Sequence, residues 1–398
     1  MRAPVIVTFL SFIGFAVVYP VLPFQALALG ASAQGVTALL VVEPLVAALI
    51  APLVGSLSDR IGRRPVVLLL LALALPAYLL LASADALWLL FVSRLLAGAS
   101  TAVSPVIQAY LADVTSKDDR ILGMAGVNAA FCLAFIVGPV ITTTALGADG
   151  TDYGTTALAG AVTALAAVLL AGLCLVEPRR AESAGPAASA EPDSGPGREL
   201  PFAALARTGC LLPALALTVL GLVYAAMDTT LGLWFDQTTG WGARELSIAF
   251  AIAGAAAFLA LCAIRPLTAP LGEAAAAAVC AIAMVIGFVT LLLATGWLGL
   301  AAAMALLGAG MAVGTSCLQC LISKAAPPDA QGLVLGQGDA LFTAAGIVGP
   351  LAAGFAIEQV HIAAPYAAAA VLSLLAALLL ARYARAVVVP PASQTEQG

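Results

Sequence analysis

Twelve runs of about twenty mostly apolar residues, spread along the whole chain, constrain it more than any other feature. A stretch of that length is what crosses the hydrocarbon core of a bilayer as a helix. The runs lie at roughly 4 to 27, 36 to 56, 66 to 83, 87 to 111, 122 to 146 and 155 to 176, then at 207 to 235, 243 to 264, 274 to 295, 298 to 323, 332 to 357 and 365 to 385. Composition agrees: 63% of the 398 residues are hydrophobic and 9% charged, against ~45–50% and ~25% in soluble domains. No soluble core is that large relative to its surface. The expected fold class is an all-α membrane protein of twelve transmembrane helices in two pseudo-symmetric six-helix bundles.

Positive residues stay on the cytoplasmic side of short loops. With both termini cytoplasmic, fourteen of the sixteen basic residues fall in cytoplasmic segments; Arg244 lies outside and Arg94 within a run. This predicts a multi-pass protein of the cell inner membrane with the lipid bilayer as a partner. The net charge of −5 comes with no basic stripe, which excludes nucleic acid as a partner. Met1, Arg2, the first run and Ala31-Ser32-Ala33 imitate a signal peptide, but the run is too long and carries Pro4, Pro20 and Pro23, so no cleavage is expected. The seven cysteines lie in or beside apolar runs and read as free thiols. Cys317 and Cys320 have C-x-x-C spacing without a second pair or a nearby His, so no metal and no cofactor is expected. No P-loop, nucleophile triad or metal cluster is present, and His361 is the single histidine; an enzyme is not expected.

The long hydrophilic stretch at 177 to 206, rich in Ala, Pro, Gly, Ser and charge, reads as a cytoplasmic linker. It separates an N-terminal six-helix bundle (1 to 176) from a C-terminal one (207 to 385), followed by a tail (386 to 398). The halves echo one another. "IVGP" occurs at Ile136 to Pro139 and at Ile347 to Pro350; Phe131 matches Phe342, and at an offset of 210 Gly98 matches Gly308, Gly62 matches Gly272 and Leu57 matches Leu267. Parallel repeats of this kind place a substrate site near the midplane between them.

"GSLSDRIGRRP" at Gly55 to Pro65, "RLLAGASTAVSP" from Arg94, Gly138-Pro139 in the fifth run and "GFAVVYPVLP" in the first carry a resemblance to the major facilitator superfamily, and within it to the twelve-helix drug:proton antiporters, tetracycline exporters among them. The resemblance runs from the first helix to the twelfth. It implies a cavity lined by helices 1, 4, 7 and 10, and a cytoplasmic gate in which Asp59 meets the positive N-terminal end of helix 11. Arg60, Arg63 and Arg120 complete that gate. The chain also departs from the pattern. Ala125 and Ala134 replace glycines of the antiporter motif, Thr142 and Thr143 stand where Gly-Gly would be, Ser11 occupies the place of an acid, and the second copy of the loop motif has Ala269 and Pro270 for its Asp-Arg pair.

Charges inside a membrane cost ~2.5–3.5 kcal/mol at a helix centre and are functional candidates by default. Four stand out: Glu43, Arg94, Asp228 and Asp339, assigned to proton coupling. Helical spacing of four and three puts Arg94, Gly98, Thr101, Pro105 and Gln108 on one face of helix 4. It likewise puts Gly221, Tyr224, Asp228, Leu231 and Phe235 on one face of helix 7. With helices 1, 4, 7 and 10 lining the cavity as the resemblance implies, the substrate cavity is expected to hold Phe12, Phe15, Tyr19, Thr101, Gln108, Asn128, Tyr224 and Phe235. Glu43 is expected to pair with Arg94, and Asp228 to face them across the cavity. Glycines and Gly-Pro of helices 5 and 11 are expected to serve packing and bending between the halves.

These readings point to a monomeric secondary transporter working by alternating access, exporting a small amphipathic substrate in exchange for protons. A sugar or metabolite porter, by uniport or symport, is the alternative; a non-transporting membrane receptor is the third. Catalytic residues are not expected.

Overall fold

The computed structural model describes residues 2–114, 120–177, 209–326 and 331–388, and its regular elements there are all helical. The predicted linker lies almost wholly outside the described residues, as do most of the predicted tail and the side chains of Arg120 and Asn128.

Among the described residues, fifteen α-helices make twelve spans. The first span is α1 (Arg2–Val18), one 3-10 turn (Tyr19–Val21) and α2 (Leu22–Ala28). The break falls at Pro20 and Pro23, which lack the N–H an α-helix needs there. Next come α3 (Ala33–Ile61), α4 (Arg63–Ala82), and a fourth span split into α5 (Leu87–Thr101) and α6 (Val103–Val114). Pro105 explains that split, because it cannot donate to the carbonyl of Thr101 one turn earlier. The first half ends with α7 (Arg120–Ala145) and α8 (Tyr153–Cys174). The second contains α9 (Leu211–Thr238), α10 (Ala243–Cys262), the short α11 (Ile264–Thr268), α12 (Glu273–Leu293), α13 (Trp297–Ala325), α14 (Gln331–Gln359) and α15 (Ala364–Val388). Eleven spans are long and apolar enough to cross a membrane on their described residues, and the 26-residue α7 is the twelfth.

Lipid tails are as apolar as Leu, so helix association in a bilayer relies on close backbone approach at small residues. The repeat supplies these contacts twice. A Cβ on Gly98 in α5 would lie 2.6 Å from the Glu43 carbonyl oxygen of α3, and one on Gly308 in α13 would strike the Ala253 carbonyl oxygen of α10. Both glycines and both carbonyls are related by the 210-residue offset, so span 4 meets span 2 as span 10 meets span 8. Gly138 of α7 packs on Ala16 of α1, and its equivalent Gly349 of α14 on Leu222 of α9. These Gly-Pro sites therefore tighten each half internally rather than bending the halves against one another. Gly308→Val is expected to destabilise the second half by about 1–3 kcal/mol through overpacking, read as a lower Tm in detergent.

The halves meet along two seams, α3 against α14 and α7 against α10. At one end they interpenetrate. Val21, Phe24 and Leu146 join the core of the second half, while Leu233 and Ile357 join that of the first. Towards the opposite end, which carries the α3–α4 loop, the halves separate. A Cβ on Gly336 or Gly346 of α14 would meet nothing within 4 Å.

Candidate functional site: a charged aromatic cavity between the halves

The separation leaves a cavity of about 1100 Å³ walled by α1, α3, α5, α7, α9, α10 and α14. Its wall is mainly aromatic and aliphatic. Phe15 packs at a tilt against Tyr19 with centroids 5.0 Å apart and against Phe135 at 5.9 Å, Phe12 meets Phe131 edge-on at 5.0 Å, and Tyr19 lies 5.8 Å from Phe250 across the seam. Of the predicted cavity residues, Phe12, Phe15, Tyr19, Thr101 and Tyr224 line this space. Phe131, Phe135, Phe250 and Phe342 line it too, and sequence reasoning missed them. Phe131 and Phe342 carried one signal, their match across the repeat.

Two predicted lining residues lie elsewhere. Phe235 is 1% exposed, packed in the core of the second half with its ring 5.4 Å from Trp241. The cavity closes below it, where Gly232 meets Pro23, so the helix face that starts at Tyr224 runs into sealed core. Gln108 is exposed on α6 and does not line the cavity, although Pro105, one turn earlier on the same face, does. The expected lining by span 10 is also absent among the described residues. Span 10 is α13, and its Gly308 and Gly310 draw it onto α10 and α12.

All four predicted membrane charges border the cavity. Arg94 Nη1 lies 3.0 Å from Glu43 Oε2, and both residues are buried. Arg94 Nη2 donates to Ser93 Oγ at 3.0 Å, while Nε has no partner. The Gly98 contact brings α5 close enough to α3 for this pair to form. Opposite, the Tyr19 hydroxyl donates to Asp228 Oδ2 at 2.6 Å and joins the halves. Asp228 has no cationic partner among the described residues. Asp339 lies at the open mouth and is exposed, with a hydrogen bond to the Gln319 side chain.

At the open end Asp59 pairs with Arg63 at 2.7 Å, and Arg63 reaches Asp113 at 3.0 Å and Ser58 at 2.6 Å. Arg60 is exposed. The Glu177 carboxylate accepts from the Arg63 and Arg64 N–H groups at 2.7 and 2.9 Å, capping α4. Gly62 turns there with φ of 105°, and a Cβ would strike Glu177, so two constraints require glycine. Its repeat partner Gly272 also has positive φ, 75°. Among the described side chains this charge cluster belongs to the first half. The side chains of the first turn of α14, where Asp59 is expected to dock, lie outside the described residues.

The family model of the Major Facilitator Superfamily matches residues 5–336 and 214–398. The tetracycline resistance protein of class C from Escherichia coli is 31% identical over 364 residues, 86% of this chain and 85% of that protein. The class G protein from Vibrio anguillarum is 30% identical over 356 residues, 86% of each. Among solved structures, the nucleoside transporter NupG superposes with a TM-score of 0.75 at 14% identity, covering 96% of this chain and 99% of that one. A multi-pass membrane protein with this fold, this duplicated architecture and these relatives is a transporter, not an enzyme, and the chain belongs to the Major Facilitator Superfamily.

Proposed function

We propose that the protein exports a small amphipathic compound in exchange for protons, by alternating access around the inter-half cavity. The observation that carries this reading is the Tyr19–Asp228 hydrogen bond, which spans the halves inside an aromatic cavity and leaves the carboxylate with no cationic partner among the described residues. A bare carboxylate is costly to carry through a closed, dry state, so the cavity changes sides with Asp228 neutralised by a proton or by a cationic substrate. The Arg94 guanidinium is already neutralised by Glu43, which leaves Asp228 as the group whose charge must change. Asp339, at the mouth, is a relay between the cavity and the aqueous phase. With the positive residues inside, the open end, the linker and both termini face the cytoplasm, and substrate is loaded from there. The relatives' names make tetracyclines the first substrates to test.

The test is the full chain in proteoliposomes with an imposed pH gradient and a panel of tetracyclines, other amphipathic compounds and sugars. Gradient-dependent accumulation of an amphipathic member, several-fold above vesicles with the gradient collapsed, is expected. Flux of a sugar or metabolite that ignores the gradient would replace this reading with uniport.

A further inference from the structure

The two seams are latched at the sealed end by residues that no role above uses. Glu358 is the penultimate residue of α14, and its carboxylate accepts the Gln34 N–H of the first turn of α3 at 2.8 Å. It also takes a hydrogen bond from the Ser32 side chain, whose oxygen in turn caps α3 by accepting from Gly35 N–H at 3.2 Å. One turn before Glu358, Gly354 touches the buried Thr37 side chain so closely that a Cβ would overlap its oxygen. On the other seam, the Arg244 guanidinium at the start of α10 donates to the Gly147 carbonyl of the α7–α8 loop.

An acid at the C-terminal end of its own helix opposes the helix dipole. At Glu358 this is offset by the N-terminus of a different helix, in the opposite half. Because α3 and α14 run antiparallel, each end of the pair juxtaposes one C-terminus with one N-terminus. Asp59 lies near the C-terminal end of α3 as Glu358 lies near that of α14. We propose that Glu358, with Arg244 on the second seam, is the outer gate latch. It holds the sealed end by capping α3 across the halves and releases it when the cavity opens there. At the other end of this helix pair the family resemblance expects Asp59 to hook α14 in the opposite state. The inference rests on the alternating-access part of the proposed function and not on protons or substrate.

Amide hydrogen exchange on the full chain in nanodiscs tests it without substrate or gradient. Glu358→Ala is expected to raise exchange about tenfold at the start of α3 and also in residues 146–153 of the other seam, the size of one charge-assisted hydrogen bond lost at a helix end. Glu358→Gln, which keeps a neutral acceptor and the fold, is expected to give a smaller shift in the same direction. A change confined to residues 32–37 in both variants would make Glu358 a local cap and overturn the latch, as would unchanged exchange. Because neither readout involves transport, failure of proton coupling leaves this result intact, and failure of the latch leaves the coupling assay intact.

Discussion

Asp228→Asn is expected to reduce pH-gradient-driven accumulation of substrate to background, at least a hundredfold loss, while gradient-free exchange of labelled for unlabelled substrate persists. The amide oxygen can still accept from the Tyr19 hydroxyl, so the bridge between the halves is retained and the fold is not at issue. What disappears is the single change of charge. Side-by-side assays of driven accumulation and exchange in proteoliposomes check this, and accumulation that survives the substitution sinks the assignment of Asp228.

The second large effect concerns stability. Glu43→Gln leaves the Arg94 guanidinium buried without its counter-charge, beside an Nε that already has no partner. Breaking one side of a buried pair costs about 3 kcal/mol, which a thermal melt in detergent reads as a fall of several degrees. Replacing both residues with Leu removes the uncompensated charge and is expected to recover most of that loss. A stable double variant that no longer transports would show that the pair serves coupling. One that melts normally and transports normally would reduce it to a structural strut.

The twelve spans were legible because a bilayer requires about twenty apolar residues for each of them. Their ends were less so. The second run was expected to stop near residue 56, yet α3 continues to Ile61; helical hydrogen bonding does not end where the apolar stretch does, and Gly62 stops it instead. The four charges could be read from the cost of burying them, and Arg94 and Glu43 do come together. Helix faces were legible only over straight, cavity-facing segments. On α6 the lining ends at Pro105, one turn short of Gln108, and on α9 it ends where the two halves close, short of Phe235. Phe131, Phe135 and Phe250 escaped because they belong to the seam helices α7 and α10, whose pairing between segments far apart in sequence leaves no local periodic trace. The repeat also explains the asymmetry in charge. At the 210-residue offset Glu43 corresponds to Ala253 and Arg94 to Met304, so identical glycine contacts hold a charged pair in one half and an apolar pair in the other.

The rings that wall the cavity set a limit on how choosy such a transporter can be. Phe12, Phe15, Phe131, Phe135, Phe250 and Phe342 offer area but no directional donors or acceptors, and in an apolar pocket a methylene more or less changes recognition by only ~10–200-fold. Under the proposed export, compounds are ranked along a sliding scale of oil–water partitioning, trimmed by the charges of Glu43, Arg94, Asp228 and Asp339 and the hydroxyls of Tyr19 and Tyr224, rather than admitted or refused by shape. For the export proposed above, this breadth is the useful property. Its corollary is crowding: any two sufficiently greasy solutes compete for the same space, and each inhibits the passage of the other in proportion to its own affinity for oil.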